Sequence, residues 1–427
     1  MPEQSRNNLR IGSLGIFLIC GLCGFLFTGF EFSMQSAVDT RPSVQLGCRN
    51  FCENFPSALR GRRLGLVINH TSTLEDGRTL LEVLLDGDRR VGAVFAPEHG
   101  FTGQVEGGRD VEDSRMDNIR IFSLYGKSRK PSAEQMKYID AFVYDIQDVG
   151  TRFYTYITTM KYILEAGAEF EKPVYILDRP NPAGGLIVEG PQLEPAYTSF
   201  IGAVPIPVRY GLTAGELAWM MRGEGWVPAN VDLHVIPMTG WKRRDYWEDT
   251  KLPWTATSPN IPTPETAVLY PGTGLLGALI LNQGLGTELP FLQFGAPWLE
   301  PERLIAALGE GHGYGLGLEA ADYTPVSIPG KVLRPPYENR SCRGVRIDIR
   351  HPDRLFSLRF VLDLIRELKM HYPDQLHPVE NSLNLMFGTD GLSRYLDGSL
   401  SFDELTAAVT RDEQLFLKQR RKYLLYD

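Results

Sequence analysis

The sequence predicts an α/β protein: a Rossmann-like, doubly wound and mostly parallel sheet domain, followed by a second α/β unit. Two observations carry this. Four short apolar runs, LGLVIN (64–69), VGAVFA (91–96), AFVYDI (141–146) and PVYILD (173–178), each lead into a cluster of Gly, Asn, Asp or Pro. Continuous apolar runs of this length are how strands buried on both faces read, and such strands belong to parallel sheets. Amphipathic stretches at 78–85, 132–139 and 153–168 lie between them. Strand and helix in alternation are the pattern of a doubly wound fold.

Taken in order, the chain opens on IGSLGIFLICGLCGFLFTGF (11–30), an uncharged run preceded by Arg6 and Arg10. About 20 apolar residues span a bilayer, and basic residues ahead of them fit a cytoplasmic N-terminus. Five glycines and the lack of a polar face argue against a soluble core helix. Gln35 stands two positions before Ala37, a poor match to a cleavage site, so an uncleaved anchor is favoured over a removed signal. Residues 31–45 are polar and aperiodic, a linker. The protein is therefore expected to work outside the cytoplasm, in the periplasm or cell envelope.

The remainder is too long for one ordinary domain, and divides into a Rossmann-like domain at 46–250 and a C-terminal domain at 251–427. Thr213-Ala-Gly-Glu216 has capping-box spacing and opens a further helix. In the second unit 300–308, 354–371 and 402–423 read as helices and GVRIDI (344–349) as a strand. The net charge is −8 with pI near 5.5, and no basic tract tracks phosphates, so nucleic acid is not an expected partner. Cys48, Cys52 and Cys342 follow the apolar run. The first two could pair in an oxidising compartment, and their spacing suits neither a disulfide framework nor a zinc knuckle.

Ligands of open α/β sheets bind beyond the carboxyl ends of the strands. Four loops there concentrate functional side chains. After 91–96 comes Pro97-Glu98-His99-Gly100-Phe101, where Glu98 held near apolar walls could donate a proton, or could instead cap a helix or pair with an arginine. After 141–146, Asp145 and Asp148 offer a second carboxylate. Arg152 offers a fork for a ligand carboxylate, and Tyr154 or Tyr156 a flat face for a sugar. Here the plain alternative is an N-cap and core aromatics. After 173–178, Asp178-Arg179-Pro180-Asn181 is either a site or a structural clamp, and His99 with Asp178 lacks the spacing of a metal pair. Ser258-Pro259-Asn260 beside Tyr270-Pro271-Gly272 is a rigid turn suited to hydroxyl or acetamido groups, or a plain connector. The first strand runs into Asn69-His70-Thr71 rather than a dinucleotide fingerprint, and no nucleophile elbow occurs.

The order PEHGF (97–101), SLYG (123–126), DIQDVGTRFYTY (145–156), LDRPNPxGG (177–185), PxRYGLTxGELA (207–218), SPNIPTPETA (258–267) and YPGTG (270–274) resembles the NamZ-type exo-β-N-acetylmuramidases, glycoside hydrolase family 171. The resemblance continues through QFGAPW (293–298), CRGVRI (342–347) and YLLY (423–426). It implies a smaller C-terminal domain with a cleft between the two. It also implies release of N-acetylmuramic acid from the non-reducing end of peptidoglycan fragments, with no cofactor or metal. Glu98 is the best-matched catalytic carboxylate, with Asp145 or Asp148 as base, nucleophile or orienting group unless the substrate N-acetyl group assists. His99, Arg152, Tyr154, Asp178, Arg179, Asn181, Arg209 and Asn260 are the expected substrate contacts. The pattern departs at Gly277, Gln283 and Leu285, where the family carries an acid, a glutamate and an arginine, and at Tyr210, where it carries histidine. An arginine-to-leucine change removes a bidentate carboxylate donor. The second expectation is thus a non-catalytic, envelope-anchored glycan-binding relative.

Overall fold

The computed structural model describes residues 44–427, so the apolar segment at 11–30 lies outside the described residues. Among the described residues no helix is long and apolar enough to cross a membrane.

The first sheet has seven strands: β1 (Leu64–Ile68), β2 (Val91–Ala96), β3 (Ser114–Met116), β4 (Ile119–Ser123), β5 (Ala141–Asp145), β6 (Val174–Leu177) and β7 (Leu233–Ile236). Their order is β3-β4-β2-β1-β5-β6-β7, and every pairing is parallel except β3 with β4. The order reverses beside β1, which has β2 on one side and β5 on the other; this is where doubly wound sheets place ligands. All four predicted runs form strands here.

Alternation along these strands builds two cores. Val67, Phe95, Phe142, Tyr144 and Ile176 enter one, and Leu66, Val94, Val143 and Tyr175 the other. The second is covered by α1 (Gly47–Glu53) and α2 (Leu80–Asp86), the first by α4 (Tyr156–Glu169) and α5 (Ala214–Gly223). Short α3 (Ala133–Met136) and α6 (Trp247–Thr250) complete this part. The expected capping box at α5 is present: Thr213 Oγ1 accepts from Glu216 N, and Glu216 reaches back to Thr213 N.

After α7 (Pro264–Thr273) comes a separate antiparallel sheet, β8 (Gln293–Ala296), β9 (Leu316–Tyr323) and β10 (Cys342–Ile349), in the order β8-β10-β9. Helices α8 (Pro301–Ala307), α9 (Ser357–His371), α10 (Glu380–Phe387), α11 (Gly391–Asp397) and α12 (Phe402–Gln419) surround it. The chain then returns to the first domain. Phe416 and Tyr423 enter its core, Leu425 N–H donates to Glu216 at 2.8 Å, and the Tyr426 hydroxyl donates to Asp178 at 2.6 Å. The closing YLLY therefore fastens the C-terminal unit to the parallel sheet.

Cys48 and Cys52 are both free thiols, one turn apart on α1. Burial raises both, Cys52 to about 12, and the pairing open to them is not made: the Cys48 thiol lies against Thr73 O.

Candidate active site

Beyond the carboxyl ends of β2 and β5 lies a cleft of about 250 Å³. Glu98 and His99 come to it from the turn after β2, Phe153, Tyr154 and Thr155 from the approach to α4, and Ser258, Asn260 and Tyr270 from the chain joining the two domains. Right after Glu98 the backbone turns through a left-handed residue, His99 (φ 69°), fastened by a 2.7 Å contact from its Nδ1 to Val105 O. Such a conformation at a residue other than glycine costs energy and is retained where the surroundings impose it.

The Glu98 carboxylate is held at both oxygens. Gly108 N–H donates to Oε1 at 2.9 Å and the Thr155 hydroxyl to Oε2 at 2.6 Å. Tyr125 stands beside it; burial first, and then the Glu98 charge, push this phenol up to about 12, so it stays protonated. Glu98 is the one carboxylate among the residues lining the cleft. Part of the remaining wall is an aromatic cluster: Tyr270 meets Phe153 at 5.2 Å and Phe291 at 4.8 Å between ring centroids, both edge to face. One acid set among aromatic faces and hydroxyls suits a sugar ring, whose axial C–H bonds pack on π-faces while its hydroxyls need partners.

Of the expected site residues, the structure gathers Glu98, His99, Tyr154 and Asn260 at this cleft. It puts the other seven into buried networks. Asp145, with no exposed surface, makes a two-pronged ion pair with Arg179 at 2.6 and 2.8 Å. Asp148 accepts from Gly150 N–H at 2.7 Å and from the Tyr210 hydroxyl, and burial raises it to about 6. Asp178 accepts from Thr213, Gly215 N–H and Tyr426, again raised to about 6 by burial. Arg152 is fully buried and donates to the carbonyls of Pro191, Ile206 and Met386, so its fork clamps the two domains instead of awaiting a ligand. Arg209 pairs with Glu189 at 3.3 Å. Asn181 donates to Leu212 O and lies so close to Gly150 (φ 76°) that a Cβ there would meet its Oδ1 at 2.3 Å. In each case satisfying a buried charge or amide takes the groups that a ligand would need.

Thr155, Gly108, Tyr125 and Phe291 were not singled out as site residues. Thr155 and Tyr125 stand inside the matched motifs DIQDVGTRFYTY and SLYG, but Gly108 contributes only a backbone N–H, which no residue type signals.

Residues 64–265 match the N-terminal family model of the exo-β-N-acetylmuramidase NamZ, and residues 268–426 its C-terminal family model. The chain belongs to the NamZ family. It is 35% identical over 415 residues to the peptidoglycan β-N-acetylmuramidase NamZ of Bacillus subtilis (strain 168), covering 95% of this chain and 98% of that one. Two crystal structures of DUF1343 family proteins from Bacteroides fragilis share its fold. One has a TM-score of 0.82 at 33% identity and the other 0.73 at 34%, each match covering 90% of this chain and 99% of theirs.

The positions expected to depart from the NamZ pattern, Gly277, Gln283 and Leu285, are not among the residues lining the cleft. A Cβ at Gly277 would lie 2.4 Å from Gln283 Nε2, so the Gln283 side chain fills the room that a side chain at 277 would take. Leu285 packs, half-buried, against the first core. Their link to the cleft is Phe291, whose N–H donates to Gln283 O at 2.7 Å and whose ring forms part of the wall. The Tyr210 phenol, at the fourth expected departure, is spent on buried Asp148.

Proposed function

We propose that this protein is an exo-acting β-N-acetylmuramidase that releases terminal N-acetylmuramic acid, or a related amino sugar, from the non-reducing end of peptidoglycan fragments. The single observation that carries this is the Glu98 carboxylate, held at both oxygens in an aromatic cleft of a NamZ-family chain. Glu98 is the proton donor to the leaving glycosidic oxygen. A two-carboxylate mechanism needs its partner about 5–9.5 Å away and free to act. Asp145 and Asp148 are committed to Arg179 and Tyr210, so the group opposite Glu98 is the substrate's own 2-acetamido carbonyl.

In that sequence the carbonyl oxygen bonds to C1 as the C1–O bond to the leaving sugar breaks and Glu98 gives its proton to the departing oxygen. Water then adds to C1, its proton returns to Glu98, and the acetamide re-forms with retained β configuration. Incubation with a muramic-acid-terminated disaccharide and a chromogenic muramide, read by product mass, tests the activity. Binding of both without turnover favours the glycan-binding relative, the reading motivated by Gly277, Gln283 and Leu285.

The place of action we propose is outside the cytoplasm, reached by way of residues 11–30. Support comes from the uncharged run and the arginines before it. Sedimentation with membranes that resists high salt is expected of a retained anchor; a soluble product beginning near residue 38 would mark a removed signal.

A further inference from the structure

Beyond β1 the chain turns through Asn69-His70-Thr71, beside the point where the strand order reverses. None of the three lines the Glu98 cleft. Asn69 Oδ1 fixes the turn, accepting from Thr71 N–H at 2.9 Å and from the Thr71 hydroxyl at 2.6 Å. Asn69 and His70 then serve two consecutive carbonyls of the chain joining the domains. Asn69 Nδ2 donates to the Tyr156 hydroxyl at 3.1 Å, and that hydroxyl donates to Thr257 O at 2.9 Å. His70 Nε2 reaches Ala256 O directly at 2.6 Å. Ser258 and Asn260, which follow at once, are cleft wall.

The other edge of the His70 ring lies against the loop that carries Glu98. A Cβ at Gly103 (φ 71°) would lie 2.0 Å from both Nδ1 and Cε1, so glycine alone leaves the ring its room. That loop runs from Glu98 to Gly108, whose N–H holds the Glu98 carboxylate. One imidazole therefore touches both the loop of the proton donor and the segment that presents Ser258 and Asn260.

A carbonyl oxygen only accepts, so Nε2 carries the ring proton and Nδ1 is bare. Nδ1 is buried, with no hydrogen-bond partner among the described residues. A second proton would bury an N–H there without an acceptor. Burial accordingly lowers this imidazole from its ordinary value, against the bond to Ala256.

We propose that His70, as a neutral Nε2–H imidazole, is a positioning residue for the reaction. It sets the separation between the Glu98 loop and the Ser258–Asn260 wall, and so the fit of the sugar between them. The kinetic consequence rests on the muramidase reading; the clamp itself does not.

Three variants of the full chain test this. His70→Gln puts its amide nitrogen where Nε2 stands. His70→Asn puts it nearer Nδ1, short of Ala256, and His70→Leu fills the space without a donor. Amide hydrogen exchange needs no substrate, and it is read at Gly108 and Ile261, whose N–H groups are bonded within the two walls. Exchange there should quicken roughly tenfold in the Leu and Asn variants and stay within about twofold of wild type in the Gln variant. With a chromogenic muramide, KM should likewise rise roughly tenfold in the Leu and Asn variants and stay near wild type in the Gln variant. Unchanged exchange in His70→Leu, or a Gln variant as defective as Leu, overturns the clamp. A maximal rate that falls only with the folded fraction, at unchanged KM, makes His70 a stability residue and overturns the positioning role. A wild type inactive on every muramide defeats the muramidase reading, while exchange still decides the clamp.

Discussion

Thr155 donates its hydroxyl to Glu98 across 57 residues of sequence, at 2.6 Å. It stands at the N-cap of α4, yet its side chain caps nothing there. A capping threonine contributes about 1 kcal/mol to a helix. Here that hydroxyl is turned to the carboxylate instead, so the position serves the cleft at the expense of the helix.

Thr155→Val keeps the shape and removes this bond. A hydrogen bond to a charged group is worth about 1.5–3 kcal/mol, so kcat on a muramide should fall roughly ten- to a hundredfold with little change in KM. Unchanged kcat in the folded variant would separate Thr155 from the chemistry.

Arg179→Met should act on stability and not on the reaction. It leaves Asp145 buried without its cation, which typically costs about 3–5 kcal/mol. Urea unfolding should show this loss, while the folded fraction keeps wild-type KM. A selective rise in KM at unchanged stability would return Arg179 to the substrate.

Asp148 and Asp178 are raised to about 6 and Glu413 to about 7, in each case by burial first. Each binds its proton more tightly folded than unfolded. Their stabilising contribution is therefore complete below about pH 4, the unfolded carboxyl value, and is lost as pH rises through 6 to 7. Asp140 and Glu224, lowered to about 2 by partners, oppose this only below about pH 4. Thermal melts should show Tm falling from pH 5 to pH 7.5, less steeply in Asp148→Asn. A Tm that climbs over this window would contradict the buried-carboxyl account.

The parallel sheet was legible because its strands are buried on both faces and so read as unbroken apolar runs; β1, β2, β5 and β6 all did. The edge strands were not. β7 (LHVI) has only one buried residue and β3 (SRM) none, so neither leaves an apolar run. β9 (LGLEAADY), with one buried residue, hides for the same reason. At the site, strand ends named the right loops but not which charges face outward. Asp145 and Asp148 are three apart on the same segment as Tyr154, yet whether a carboxylate meets substrate or a buried arginine is decided by Arg179 and Tyr210, which come from later elements.

The departures expected at Gly277, Gln283 and Leu285 should weaken selectivity for the lactyl carboxylate. Gln283→Glu with Leu285→Arg, changed together so that neither charge is buried alone, should raise the ratio of muramide to N-acetylglucosaminide specificity constants. A wild type already fully selective would make these positions silent.

The central claim is that Glu98 gives its proton to the bond beyond a terminal muramic acid. Its most direct measurement follows MurNAc-GlcNAc by mass and NMR with the wild type and with Glu98→Gln. The account predicts free N-acetylmuramic acid released as the β anomer, and a turnover about a hundredfold lower or less in Glu98→Gln, with binding retained. Near wild-type turnover by a folded Glu98→Gln protein, or first release as the α anomer, would contradict it.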